Sequence, residues 1–118
     1  MNVHLLRAKI HRATVTGASV DYEGSLAIDA DFLRLTGLLP YEKILVGNIS
    51  NGERFETYII EAPSGSKSIV LNGAVAHLGK IGDIVVIMAF GEMSLDQARN
   101  HKPRVIVLGD GNTVIRSE

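Results

Sequence analysis

Hydrophobic residues in this chain come in short runs, interrupted every few positions by Gly, Pro or Asn. None of the runs holds a helical period for long. Lys9 to Val15 alternates loosely and stops at Thr16-Gly17, and Ser25 to Ile28 is strand-like. Lys43 to Ile49 reads as a strand, Asn51-Gly52 as a hairpin turn, and Arg54 to Ala62 as the returning arm. Beyond the turn residues Pro63-Ser64-Gly65-Ser66, Ser68 to Leu71 makes a further strand. Ile84 to Phe90 is apolar without a break, which predicts a strand buried on both faces. Arg104 to Leu108 and Thr113 to Arg116 are strands on either side of the turn Asp110-Gly111-Asn112.

The predicted helices are short. Asp29 can N-cap Ala30 to Thr36, with Gly37 to end the helix and Pro40 beyond it. Ser94 and Gln97 have the spacing of a capping box for Leu95 to Asn100, which must end before Pro103. Asn72 to His77 suits one helical turn. Many short strands with few helices imply a mainly β fold, a small β-barrel whose topology the pattern alone does not fix. With 118 residues, no repeat and no linker, residues 1–118 are expected to form a single domain.

Composition narrows the function. A net charge of −1 gives no basic field, so no nucleic-acid partner is expected. The absence of cysteine excludes disulfides, thiolate metal ligands and a cysteine nucleophile. His77 and His101 show no metal-ligand spacing with His4 or His11, so no metal site is expected. The start, Met1 to Arg7, is charged too soon for a secretory leader, and no apolar run is long enough to span a membrane. A cytoplasmic, soluble protein is the expectation. The hydrophobic content of 46% is high for so small a chain, and self-association is expected to cover the surplus.

Chemistry is concentrated at Tyr22-Glu23-Gly24-Ser25. Glycine tolerates strained backbone angles, and a serine after it in a tight bend can attack the carbonyl of its own preceding peptide. An N-to-O shift followed by β-elimination would leave dehydroalanine, which hydrolyses to a pyruvoyl group able to act as an electron sink. Most Gly-Ser pairs are ordinary turns, and Gly24-Ser25 taken alone is compatible with that reading. Lys9 and His11 share one face of a strand, either as a solvated surface or as a cationic wall for an anion. Arg54 and Tyr58 also share a face: a guanidinium fork suits a carboxylate, and a tyrosine hydroxyl can deliver a proton. Thr57 points the other way by the same period, so a site using both Thr57 and Tyr58 requires a twist, a bulge or a subunit seam. Asn72-Gly73-Ala74-Val75-Ala76 is built of small residues and lets backbone approach a ligand, or else is a plain strand-to-helix turn. Asp21 and Glu23 read as solvated, and Gly109-Asp110-Gly111 as a turn.

Placed in order, these pieces resemble the pyruvoyl-dependent aspartate 1-decarboxylases. The matching stretches are Lys9 to Thr16, Tyr22 to Ser25 with Ile28-Asp29, Asn51 to Phe55, Thr57-Tyr58, Leu71 to Ala74, Ala76-His77 and Gly82 to Val85. The resemblance implies a double-psi β-barrel that assembles as a homotetramer with active sites at subunit boundaries. It implies self-cleavage between Gly24 and Ser25, giving a β chain of residues 1–24 and an α chain of residues 25–118 headed by a pyruvoyl cofactor made from Ser25. L-aspartate would condense with that ketone as a Schiff base and lose CO2, giving β-alanine for pantothenate and coenzyme A synthesis.

By the same resemblance, Arg54 holds the side-chain carboxylate, Lys9 lies near the departing one, and Tyr58 matches the proton donor. Thr57 matches a substrate-binding residue that also aids cleavage. Gly73, Ala74 and Val75 match the backbone segment at the substrate, with His11, Tyr22 and Asn72 supporting it. Some relatives need a maturation factor. Position 75 is usually alanine and position 47 often aromatic in such enzymes, so Val75 raises the question of crowding and Gly47 that of an opened wall. The competing readings are a non-catalytic β-barrel module and a pyruvoyl decarboxylase acting on another acidic amino acid.

Overall fold

Nine strands carry the structure, here a computed structural model that describes all residues from Met1 to Glu118. They are β1 (Asn2–Thr14), β2 (Gly17–Ser19), β3 (Leu26–Asp29), β4 (Lys43–Asn48), β5 (Arg54–Ala62), β6 (Ile69–Asn72), β7 (Ile84–Ser94), β8 (Arg104–Leu108) and β9 (Val114–Ser117). Between them lie helices α1 (Ala30–Thr36) and α2 (Leu95–Arg99) and 3-10 turns at Gly73–Leu78 and Asp110–Asn112. The fold is thus mainly β with a few short helices, as the pattern predicts.

Strand pairing runs β2-β6-β3-β5-β4-β7-β1-β8-β9. No ladder joins the two ends, β2 and β9, although β1 runs on into β2 as one continuous stretch of chain. At that junction Val15 donates to the Asp83 carbonyl at 2.8 Å and Thr16 to the Ile69 carbonyl at 2.8 Å. Five antiparallel pairs are joined by three parallel ones that bring distant segments together: β1 with β8, β2 with β6 and β3 with β5. Inside lies one cluster of 21 buried residues, among them Ile10, Leu26, Ile28, Phe32, Ile59 and Ile87. Truncating one of the fully buried isoleucines to alanine would cost about 2–5 kcal/mol.

The local signals are realised. The Asp29 carboxylate accepts from the Asp31 N–H at 2.7 Å to cap α1, and Gly37 ends the helix at φ +75°. That carboxylate is buried and also accepts from the Gly65 and Lys67 N–H groups, which ties the 63–68 turn to the helix start. Ser94 and Gln97 form the reciprocal capping box, although α2 stops at Arg99, with Asn100 as its cap. Asn112 does more than turn the chain. Its side chain donates to the carbonyls of Thr14 and Lys67 and accepts from the Thr14 N–H.

Two expectations need correction. Strand β1 begins at Asn2, because β7 continues to Ser94 and pairs with it along its length. Strand β7 is also not buried on both faces. Val85, Ile87 and Ala89 are buried, while Val86 and Met88 are half-exposed and Phe90 is 49% exposed. Only the inner face of this strand packs on the core, and a single chain leaves the other uncovered.

Candidate active site

The bend before β3 carries Gly24 and Ser25. Strand β3 lies between β5 and β6, with Leu26 beside Ile59 on one side and Leu71 on the other. Continuing both registers back by one residue sets Ser25 between Tyr58 and Asn72. Consistent with this, the Asn72 N–H donates to the Ser25 carbonyl at 2.7 Å. Ser25 itself is buried, at 6% exposure, next to a bend whose Asp21, Tyr22 and Glu23 are exposed.

Glycine is required at position 24 for two reasons. Its φ is +96°, and a Cβ there would lie 2.9 Å from Ile60 Cγ1. Gly73 is required for a related reason. Its φ is +68°, and a Cβ on it would lie 3.1 Å from the Gly24 carbonyl oxygen and 3.6 Å from that of Tyr22. The close approach that glycine permits at position 73 is therefore to the carbonyl of the Gly24–Ser25 bond.

Strand β5 carries Thr57 and Tyr58 where one ladder ends and the next begins. Its ladder with β4 covers Arg54 to Tyr58, and its ladder with β3 covers Ile59 to Ala62. The strand changes partners where Ser25 enters. Thr57 is half-buried and Tyr58 is 42% exposed at that corner. Val75, the residue that raised the question of crowding, turns into the core, where it is 8% exposed, and Ala74 is exposed.

The structure thus gathers Gly24, Ser25, Thr57, Tyr58, Asn72 and Gly73, with Ala74 adjoining. It does not bring Arg54 or Lys9 to them. Arg54 lies four residues up β5 from Tyr58, roughly 13 Å at strand rise. It pairs there with Gly47, and its Nη1 lies 3.8 Å from the place a Gly47 Cβ would take. Lys9 is on β1, separated from β5 by β7 and β4: Lys9 sits beside Met88, Met88 beside Leu45, and Leu45 beside Glu56. Three strand spacings make roughly 14 Å.

His11, two residues beyond Lys9, has a buried Nδ1 without a hydrogen-bond partner. Its pKa is held below the ordinary imidazole value of 6.5, first by burial and then by the positive charges of Lys9, Arg12 and Arg116. The Tyr22 side chain is 68% exposed, so within one chain only its backbone supports the bend. Ile60, which packs against Gly24, escaped the sequence reading because an apolar residue in a strand carries no chemical mark.

Sequence comparison adds an independent finding. Residues 1–115 match the family model described as aspartate decarboxylase. The chain is 53% identical over 114 residues to the aspartate 1-decarboxylase of Phenylobacterium zucineum, covering 97% of each chain. It is 51% identical over 114 residues to that of Caulobacter vibrioides, again covering 97% of each. The Pseudomonas aeruginosa enzyme of the same name is 51% identical over 112 residues, 95% of this chain and 89% of the relative.

Proposed function

This chain belongs to the aspartate decarboxylase family, and on that footing we propose that it is a precursor that cuts itself between Gly24 and Ser25 and then decarboxylates L-aspartate to β-alanine. The observation that carries the proposal is the grip on the Gly24–Ser25 bond. Gly24 is held at φ +96°, its carbonyl lies against Gly73, and the Ser25 carbonyl is fixed by the Asn72 N–H. The bond marked for cleavage is thus restrained on both of its residues.

In the cut, the Ser25 hydroxyl adds to the Gly24 carbonyl carbon and the C–N bond breaks, leaving an ester and a free Ser25 amine. Loss of the Ser25 α-proton with departure of the Gly24 carboxylate from Cβ leaves dehydroalanine. Water then releases ammonia and leaves a ketone. Thr57, next in line on β5, is the residue proposed to donate to the Gly24 carbonyl as it takes on negative charge. The residues around position 25 fit a pyruvoyl group. It would be formed in place from a buried serine, and the chain running on into β3 would hold its amide. When present, that group supplies the electron sink for the pair released with CO2.

The remaining roles belong to side chains. Tyr58, beside Ser25, returns a proton to the substrate α-carbon. The backbone at Gly73 to Val75, occupied by Gly24 before the cut, receives substrate after it. Arg54 holds the side-chain carboxylate and Lys9 steers the other. Since Arg54 and Lys9 stand far from Ser25 of the same chain, a second copy must supply them. The uncovered face of β4 and β7, with half-exposed Leu45, Val86 and Met88 and exposed Phe90, supports such a seam. A homotetramer of cut αβ units is the proposed assembly, feeding β-alanine to pantothenate synthesis in the cytoplasm.

The test is product formation. Fully cut protein given L-aspartate is expected to release CO2 and β-alanine in equal amounts, while Ser25→Ala stays uncut and inactive. No product from fully cut protein would refute the proposed activity, and product from L-glutamate alone would redirect it to another acid.

A further inference from the structure

Gly24 is gripped between one backbone turn and one side chain, and the side chain has no part in the roles assigned above. Ile60 lies two residues past Tyr58 on β5. Its Cγ1 is 2.9 Å and its Cδ1 3.4 Å from the point a Gly24 Cβ would occupy. Opposite it, Gly73 closes on the Gly24 carbonyl. Ile60 is half-buried and belongs neither to the core cluster nor to the partly buried residues packed on it. It lines the groove beside the bend instead, together with Tyr22, Glu23, Ala27 and Asn72. The interior therefore does not need its side chain, whereas the bend does.

Resting on the self-cleavage proposed above, we infer that Ile60 is a positioning residue for that cut. It presses on Gly24 and keeps the Gly24 carbonyl seated against Gly73 for attack by Ser25. Free glycine visits negative and positive φ about equally, so something outside Gly24 must select the positive branch. A β-branched side chain is suited to that task because its γ carbons are fixed by a stiff χ1. Once the bond is cut, Gly24 is no longer joined to Ser25 and Ile60 has nothing left to position. A residue that acts only in maturation should therefore leave turnover alone.

The experiment follows the cut and the turnover separately in full-length protein. Ile60→Ala removes both contacting atoms, and Ile60→Val keeps the γ carbons. Freshly made precursor is sampled over time by denaturing mass spectrometry. The cut fraction is then assayed with L-aspartate, and melting temperature is measured alongside. Ile60→Ala is expected to cut about ten- to a hundredfold more slowly than wild type, the loss that a small misplacement of reacting groups brings. Ile60→Val is expected to cut at close to the wild-type rate. Both variants should keep the wild-type kcat and KM per cut chain. Cutting of Ile60→Ala at the wild-type rate would overturn the inference. So would a parallel fall in cutting, kcat and melting temperature, which is the mark of a general structural role. A wild-type chain that never cuts would instead remove the self-cleavage beneath it.

Discussion

Around the Gly24–Ser25 bond the chain itself supplies a set of close neighbours: Ile60 and Gly73 on Gly24, the Asn72 N–H on Ser25, and Thr57 and Tyr58 next in register. The outer face of β4, β7 and β1 is built in the opposite way. Lys9 and Arg54 project among half-exposed apolar residues that no other part of the chain covers, and neither reaches Ser25. Under the proposed function the difference would separate two reactions: self-cleavage would find its machinery within one chain, whereas binding of a dicarboxylate would need cations from another copy. On this view, maturation and turnover in one small protein have different requirements for assembly.

Complementation gives the largest effect. Ser25→Ala lacks the ketone and should be inactive on L-aspartate, and Arg54→Ala lacks the carboxylate clamp and should lose most of its turnover. Co-produced in one assembly, they should recover a substantial share of wild-type turnover, because some seams would join an intact Ser25-derived group to an intact Arg54. No recovery in a demonstrated mixed assembly would show that each site is built within one chain.

A smaller effect is expected for Arg54→Ala by itself. It should cut normally, since Arg54 is remote from the bend, while kcat/KM falls roughly 10- to 150-fold, the equivalent of a charged hydrogen bond worth about 1.5–3 kcal/mol. Slow cutting in this variant would blur the separation between the two regions.

The smallest effect concerns His11. Its pKa is lower in the fold than in the unfolded chain, so between the folded value and 6.5 the unfolded state binds more protons. The stability it contributes is present above pH 6.5 and drains as pH falls through that window. His11→Asn should flatten this part of the melting-temperature profile between pH 7.5 and 5.5, and an unchanged slope would assign it to other groups.

What the sequence made legible was local. Asp29 with Gly37, Ser94 with Gln97 and the Asn51-Gly52 hairpin each act through groups within a few residues, and each is found in place. The parallel pairs of the sheet were not legible, because the register that sets Leu26 beside Ile59 joins segments more than thirty positions apart. For the same reason Gly73 could be marked as a point of close approach without showing that the Gly24 carbonyl is what approaches. The unbroken apolar run of β7 hid a one-sided strand, since an apolar residue reads alike in sequence whether it packs on the core or lies half-exposed on the outer face. Val75 was ambiguous until the 3-10 turn aimed it into the interior.

Denaturing mass spectrometry of the freshly purified protein probes the origin of all this chemistry. Two fragments are expected, residues 1–24 and residues 25–118, with the larger one lighter by the elements of ammonia than a serine-headed peptide and open to trapping by borohydride. A single polypeptide of 118 residues that persists on prolonged incubation, with or without added cell extract and with an unmodified serine at position 25, would contradict it.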